Sequence, residues 1–258
     1  MTDQSLGVVV PAYRPDVAQL RTYVRRIDEE LDPESIVIEI DSPERETVAT
    51  LRSTPARIDA VTRRRGKGAA ITAGFERLET DVLLFADADG ATPVESLVDI
   101  ADSVRLDTAG LAVGSRRHPA ADIADEQTVL RQFLGDGFSR LAGTLLSVKL
   151  HDYQCGAKAI DARAWDRIRD HLYEPGFAWD VELIAIAGAF DVPVVEVPIE
   201  WQDQPGSTVD PVQDSARMFR ALLTSHHRAK QIAEDRFHTA IAARTPQATP
   251  LVERGQEA

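Results

Sequence analysis

Short apolar runs alternate with amphipathic segments through the first half of the chain. Runs rich in Val, Ile and Leu predict buried strands, and apolar residues three or four positions apart predict helices between them. This alternation is typical of an α/β domain with a mostly parallel central sheet and helices on both faces. The predicted strands cover residues 6–10, ended by Pro11, then 36–40, 57–61, a run from Val82, and 111–113, and the predicted helices cover 17–31, 68–78 and 93–106.

The pattern is less regular in the second half of the chain. Helices are predicted over residues 128–146, 163–172 and 180–187, and strands over 157–160 and 194–197. We expect the first half to form a nucleotide-binding type of sheet, with the second half lying across its carboxyl edge. A donor and an acceptor would then meet in the cleft between the two halves.

Two carboxylates follow the run from Val82, with Ala88 between them. Side chains two apart on an extended backbone point the same way, so Asp87 and Asp89 converge where open α/β sheets bind their ligands. Carboxylate oxygens are the ligands that hard divalent cations prefer, which predicts a cation-assisted diphosphate site. The alternative is a plain strand end that turns at Gly90, with Asp89 capping the next helix.

Composition narrows the class of protein. The chain has 258 residues, 43% of them hydrophobic, which is enough for a large globular core. A net charge of −13 argues against a nucleic-acid partner. Acidic residues number 42, whereas lysines are few, a balance that favours a halophilic source.

Localisation follows from the cysteine content and from the apolar segments. Cys155, the single cysteine, excludes an internal disulfide and fits a reducing compartment, and we expect it to be a packed residue rather than a nucleophile. The N-terminus does not look like a signal peptide. The longest apolar tract, 183–190, is far shorter than the roughly 20 residues that span a bilayer. We therefore expect a cytoplasmic protein that is soluble or peripheral on the cytoplasmic face of a membrane.

Several short motifs follow one another in a fixed order. They are Val8-Val9-Val10-Pro11-Ala12-Tyr13, Asp41-Ser42, Arg65-Gly66-Lys67-Gly68-Ala69-Ala70, Asp87-Ala88-Asp89-Gly90, Gly114-Ser115-Arg116, Asp152-Tyr153-Gln154-Cys155-Gly156-Ala157-Lys158, Phe177-Ala178-Trp179-Asp180-Val181-Glu182-Leu183, and Trp201 with Gly206-Ser207. Together they resemble the family 2 glycosyltransferases of the GT-A fold, nearest to the dolichyl-phosphate glucosyl- and mannosyltransferases. The resemblance extends from residue 6 to about residue 225 and implies a Rossmann-like sheet.

The resemblance implies a binding site for a nucleotide sugar, either a UDP-sugar or a GDP-sugar. It also implies that Asp87 and Asp89 hold Mg²⁺ or Mn²⁺ against the donor diphosphate. Independently, Arg65 and Lys67 with their glycine neighbours form a basic turn that opens a helix, which suits an anion, although a solvated basic turn is the alternative. The implied donor-binding residues are Pro11, Ala12, Tyr13, Asp41, Gly66, Lys67, Gly68, Asp87, Ala88, Asp89 and Gln154.

Candidate residues for catalysis and for the acceptor lie in the second half. Asp180 and Glu182 fall in the first turn of a predicted helix, where carboxylates also serve as caps. The resemblance places Asp180 on the acceptor side with Glu182 supporting it, and Arg116 is the third candidate catalytic residue. Guanidinium groups match the geometry of phosphate, so arginines are candidates for gripping the acceptor. The acceptor and phosphate candidates are Arg117, Arg131 and Ser207.

The expected reaction is an inverting transfer of a hexose to a polyprenyl phosphate such as dolichyl phosphate, as in protein N-glycosylation. A hydroxyl acceptor needs a base, whereas a phosphate monoester, whose second pKa is about 6, already carries a nucleophilic oxygen. Transfer to a sugar hydroxyl of a glycolipid or polysaccharide is the enzymatic alternative. A non-catalytic sugar-nucleotide-binding protein and a nucleotidyltransferase on a similar sheet are the alternatives from other classes.

The C-terminal part of the chain carries a second amphipathic pattern. Apolar residues recur at helical spacing from Asp210 to Ala243, together with an excess of arginines. We divide the chain into a catalytic domain, residues 1–225, and a C-terminal amphipathic helix and tail, residues 226–258. Such a helix suits an anionic membrane surface, but packing on the core or on a partner subunit explains the pattern equally well.

Overall fold

A computed structural model describes residues 4–123, 129–201, 211–235 and 248–254, and their side chains except those of 122–136 and 211–215. Within these ranges a seven-stranded sheet has the order β3-β2-β1-β4-β7-β5-β8, and β6 and β9 pair separately. The strands are β1 Leu6–Tyr13, β2 Ser35–Asp41, β3 Arg57–Val61, β4 Val82–Ala86, β5 Leu111–Ser115, β6 Asp122–Ile123, β7 Ala157–Asp161, β8 Val194–Pro198 and β9 Glu200–Trp201. The helices are α1 Val17–Leu31, α2 Arg45–Leu51, α3 Lys67–Phe75, α4 Val94–Arg105, α5 Val129–Leu145, α6 Ala162–Ile168, α7 Trp179–Ala189, α8 Pro211–Ile232 and α9 Leu251–Arg254, with a 3-10 turn at Arg169–His171.

The sheet is mostly parallel, as the sequence predicts. Strands β1 to β4 pair in parallel, and so do β5 and β8. Strand β7 is inserted antiparallel between β4 and β5. The loop before β7 therefore lies at the same edge as the carboxyl ends of β4 and β5.

Helices cover both faces of the sheet. On one face Val8 and Val10 pack with α1 and α4, and on the other Val9 and Phe85 pack with α3 and α7. Because alternate side chains of a strand point to opposite faces, strands covered on both sides are mostly apolar, and this explains the apolar runs in the sequence. The same covering leaves the carboxyl edge of the sheet as the place for polar chemistry.

The first strand is longer than predicted. It continues through Pro11 to Tyr13, so the prediction that Pro11 ends it is wrong. Strand β4 pairs with β1 only as far as Val9, and beyond that point β1 pairs with β2 alone. A proline has no backbone N–H to donate, and an edge without a neighbouring strand tolerates this loss.

Helix α2 has no counterpart among the predicted elements. Leu51 is its one buried residue, so the sequence shows no amphipathic stripe there. The short pair β6 and β9 was likewise not predicted.

Helix α8 packs against α7 and α5. Its buried face is formed by Met218, Leu222 and Ser225, while Phe219 and Leu223 are exposed. The helix runs through the predicted boundary between residues 225 and 226, and residues 236–247 of the predicted tail lie outside the described residues. The division of the chain at this point stays a prediction. Among the described helices, none is both long enough and apolar enough to cross a bilayer.

Candidate active site

Four charged side chains form a row of successive ion pairs, here called the chain of four charges, below the carboxyl edge of the sheet. Lys67, at the start of α3, places its Nζ 2.9 Å from Asp87 Oδ1 and 3.0 Å from Asp180 Oδ2. Lys158 of β7 places its Nζ 2.6 Å from Asp180 Oδ1. The order is therefore Asp87, Lys67, Asp180, Lys158. It joins the end of β4 to the first turn of α7, where Asp180 was predicted to lie.

Glycines allow α3 and the loop before α7 to approach each other closely. A Cβ at Gly68 would lie 2.5 Å from both the carbonyl oxygen of Glu174 and Trp179 Cβ. Gly66 has a positive φ of 101°, and a Cβ there would lie 2.4 Å from the carbonyl oxygen of Pro175. The glycines flanking Lys67 thus allow its side chain to reach Asp180 from the neighbouring element.

Asp41 organises the turn that precedes Lys67. Its Oδ2 accepts hydrogen bonds from the backbone N–H groups of Arg65 at 2.6 Å and Gly66 at 2.9 Å, and its Oδ1 accepts from Arg65 Nε at 2.8 Å. Arg65 Nη2 also donates to the fully buried Glu39 at 2.8 Å. The carboxylate expected to face a base or ribose is therefore also the anchor of the basic turn.

Tyr13 lies exposed at the end of β1, beside buried Ala12 and Pro11. The Arg64 guanidinium carbon is 4.2 Å from the centroid of its ring. One face of the ring that was expected to support a nucleotide base therefore carries a cation.

Asp89 does not cap the following helix. Helix α4 has Pro93 at its N-cap position and no side-chain capping bond, so the capping alternative is not realised. Instead Asp89 Oδ1 accepts from the N–H of Ala91 at 3.0 Å, and Gln19 Nε2 donates to the Asp89 carbonyl at 2.6 Å. This short turn holds Asp89 close to Asp87.

The two aspartates are suitable ligands for a hard divalent cation. A Cβ at Gly156 would lie 2.0 Å from Asp87 Oδ2, so the glycine keeps that space for the carboxylate. Burial raises the pKa of Asp87, and the charges of Asp89 and Asp180 raise it further, whereas the charge of Lys67 lowers it. Within the described part of the chain, no group of three or more His, Cys, Asp or Glu side chains could hold a metal. A cation bound to this pair would need further oxygen ligands from substrate or water.

Arg116 is held by a buried carboxylate. Its Nε and Nη2 donate to the two oxygens of Asp152 at 2.7 and 3.1 Å. Burial raises the pKa of Asp152, but the charge and hydrogen bonds of Arg116, the Gln154 N–H and the charge of Arg117 together outweigh burial and lower that pKa to about 2. The backbone N–H of Gln154 donates to the same carboxylate at 2.9 Å. Asp152 therefore fixes both Arg116 and the loop before β7.

Glu182 faces away from the chain of four charges. Its carboxylate accepts from the backbone N–H groups of Tyr173 at 2.8 Å and Glu174 at 2.7 Å, and it pairs with Arg228 of α8. Glu182 is fully buried. Its bonds to the two N–H groups fix the loop before α7, and its pairing with Arg228 fixes the position of α8.

The structure brings part of the predicted site together. Lys67, Asp87 and Asp180 are joined directly, and Cys155 is buried with its thiol pKa raised to about 11 by burial, as expected of a packed residue. The Arg117 backbone N–H donates to Ser115 Oγ. The side chain of Arg131 and all of Ser207 lie outside the described residues.

Sequence reasoning missed several residues of the site. Glu39 was not considered, and Asp152 and Lys158 stand in one of the quoted motifs without a role of their own. The signal for the lysine was present, since a lysine in an otherwise apolar strand is rarely buried without a charged partner.

We expect the change Gly156→Ala to lower kcat/KM by about 10²-fold, because the added methyl group displaces the Asp87 carboxylate from its position. The thermal midpoint should change little, since no positive φ is required at this glycine. Gly137→Ala is the matched control, as a Cβ there meets nothing within 4 Å. Steady-state kinetics and thermal melts of both variants check this, and full activity of Gly156→Ala would contradict it.

A mostly parallel α/β sheet, with paired carboxylates and lysines at its carboxyl edge, suits a glycosyltransferase that acts on a diphosphate donor, and the family comparison assigns the chain to the glycosyltransferases. Residues 7–168 match the Glycosyl transferase family 2 domain, and the chain belongs to this family.

Two curated relatives match most of the chain. It is 28% identical over 237 residues to the dolichyl-phosphate beta-glucosyltransferase of Dictyostelium discoideum, covering 84% of this chain and 72% of the relative. It is also 28% identical over 228 residues to glycosyltransferase AglD of Haloferax volcanii, covering 84% of this chain and 36% of that protein.

Among solved structures, the fold is similar to that of glucosyl-3-phosphoglycerate synthase from Mycobacterium tuberculosis in complex with Mn²⁺, UDP and glucosyl-3-phosphoglycerate. The TM-score is 0.66 at 13% identity, over 86% of this chain and 80% of that one. This similarity confirms the predicted fold class.

Proposed function

We propose that this protein transfers a hexose from a nucleoside diphosphate sugar to dolichyl phosphate, with inversion at the sugar carbon. The observation that carries the proposal is the direct link, through Lys67, between Asp87 on the donor side and Asp180 on the acceptor side. The name of the Dictyostelium relative, a dolichyl-phosphate beta-glucosyltransferase, supports both the reaction and the acceptor.

The donor side of the proposed site is formed by the ends of β1, β2 and β4. Asp41 holds the turn that carries Lys67, and the Lys67 ammonium lies where it can face a diphosphate. Asp87 and Asp89 would hold Mg²⁺ or Mn²⁺, which supplies positive charge for the departing nucleoside diphosphate when it is bound. The UDP and Mn²⁺ present in the mycobacterial synthase structure support this choice of donor and cation.

The acceptor side favours a nucleophile that is already ionised. Burial alone raises the pKa of Asp180, but the charges of Lys158 and Lys67 outweigh it and lower that pKa below its usual range. A carboxylate with a lowered pKa is a weak base for a hydroxyl proton. A phosphate monoester already carries a nucleophilic oxygen near neutral pH, so Asp180 can act by orienting groups. Arg116, aligned by Asp152, is the proposed phosphate contact.

Helix α8 supplies a proposed contact with the membrane in which a dolichyl chain would lie. Phe219 and Leu223 are 47% and 43% exposed and stand one turn apart. Exposed Arg220 lies beside Phe219 on the same helix. Apolar side chains flanked by arginine suit the interface of an anionic bilayer, and we propose peripheral binding there.

A two-phase transfer assay tests the proposed function. The protein is incubated with labelled UDP- and GDP-hexoses in the presence of dolichyl phosphate, and label is counted in the organic extract. Dolichol without phosphate and a neutral glycolipid serve as matched acceptors. Organic-soluble label that requires the phosphate supports the proposal. Label transferred equally well to the glycolipid, or no transfer by a folded protein that binds the donor, would overturn the proposed acceptor.

We expect removal of divalent ions to abolish transfer and added Mn²⁺ or Mg²⁺ to restore it. Without a cation, the negative diphosphate of the donor would face the carboxylates of Asp87 and Asp89 directly, and nothing would offset the charge on the departing nucleoside diphosphate. Activity is measured after treatment with EDTA and then during titration with each metal. The variant Asp89→Asn should need a higher metal concentration for half-maximal activity. Undiminished activity in EDTA would rule out the metal-assisted form of the proposal.

A further inference from the structure

Lys158 is an unusual residue for the centre of the sheet. It lies in β7 opposite Phe85 of β4 and Val113 of β5, and its side chain is 1% exposed. Its Nζ donates to Asp180 Oδ1 at 2.6 Å and to the carbonyl oxygen of Cys155 at 2.7 Å. Burying an ammonium group costs free energy that an apolar side chain of similar size would not. The charge of Lys158 therefore needs an explanation beyond packing.

The two lysines that contact Asp180 differ in their surroundings. Lys67 is shared between Asp180 and Asp87, and the side chain of Asp87 is 37% exposed, so this end of the chain of charges opens to the cleft. Lys158 lies at the closed end, and Asp180 is its one ionic partner among the described residues. Lys67 can exchange one of its carboxylate partners for an anion that binds in the cleft. Lys158 is too far from the cleft opening to do so, and among the described residues Asp180 is its one carboxylate partner.

We propose that Lys158 is the permanent counterion and positioning residue of Asp180, and that it thereby leaves Lys67 free to turn to the diphosphate of the donor. If Lys158 were neutral, the buried Asp180 carboxylate would keep Lys67 as its sole cation and withhold it from the donor. The inference deepens the proposed function and rests on it to the extent that a nucleotide sugar binds beside Asp87. Lys158 touches no substrate in this account, since it acts through Asp180.

A double-mutant cycle on donor affinity tests the inference without requiring turnover. Binding of UDP-glucose with Mn²⁺ is measured by calorimetry for the wild type, Lys158→Met, Asp180→Asn and the double variant. We expect Lys158→Met to raise the Kd about tenfold in the wild-type background and to leave it within about twofold in the Asp180→Asn background. Lys158→Arg, which keeps the charge, should recover most of the affinity. Lys149→Met, on an exposed lysine, is the matched control and should bind like the wild type.

Each outcome of the double-mutant cycle supports or overturns the proposed role of Lys158. An equal loss of affinity in both backgrounds, or no loss in a folded Lys158→Met, overturns the inference. If Lys158→Met does not fold, Asp180→Asn is compared with the double variant, which removes both buried charges together. Equal affinities then support the inference, and a further loss overturns it. Failure of the wild type to bind any UDP- or GDP-sugar would instead refute the proposed function, which separates the two claims.

Discussion

Replacing Asp87 with Asn is expected to lower kcat/KM for sugar transfer by about 10³-fold. The amide preserves the shape of the side chain but removes a charge that Lys67 contacts at 2.9 Å and that a cation would need as a ligand. The loss should appear mainly in kcat, because charge that develops on the departing nucleoside diphosphate is stabilised chiefly in the transition state. Initial rates over a range of donor and Mn²⁺ concentrations measure both parameters.

The control for this prediction is Asp99→Asn, which removes one negative charge from an exposed position on α4. It changes the net charge by the same amount and should leave kcat/KM within about twofold of the wild type. If Asp87→Asn retained more than about a tenth of the wild-type kcat/KM, the carboxylate pair at the end of β4 could not be the centre of the reaction.

The second large effect concerns stability. Glu182→Ala should lower the free energy of unfolding by about 3 to 4 kcal/mol, because it leaves two backbone N–H groups and the Arg228 guanidinium without their acceptor. Urea unfolding, followed by circular dichroism, measures the change. Glu182→Gln should be milder, since the amide oxygen can still accept from the two N–H groups.

Glu29→Ala, at an exposed position of α1, is the matched control, and we expect a change within about 0.5 kcal/mol. The same variants test the catalytic role that sequence reasoning assigned to Glu182. A folded Glu182→Gln that keeps most of its kcat would assign this residue to positioning the loop and α8. A loss of kcat as large as that of Asp87→Asn, at unchanged stability, would assign it to the chemistry.

The sequence by itself determined the class of the fold and predicted the residues at the centre of the proposed site. Strands buried on both faces are mostly apolar, so β1, β2 and β4 were predictable from their short runs of Val, Ile and Leu. Asp87 and Asp89 were singled out by their spacing at a strand end, although β4 ends at Ala86 and the pair lies in the turn that follows, not on the extended backbone that was assumed. Asp180 and Glu182 were likewise correctly placed in the first turn of α7.

Only the tertiary structure decided which of these charged side chains contact each other and which carboxylates are paired with a cation. Lys67 and Asp180 are 113 residues apart, and no local pattern relates them. The antiparallel insertion of β7 between β4 and β5 brings Lys158 beneath Asp180, and strand direction is not encoded in a short apolar run. The two neighbouring carboxylates of α7 likewise have different contacts. Asp180 pairs with two lysines, whereas Glu182 binds a loop and Arg228. Local spacing determines the position of a residue on its helix or strand. Its ionic partners are determined by elements that are distant in the sequence and adjacent in the fold.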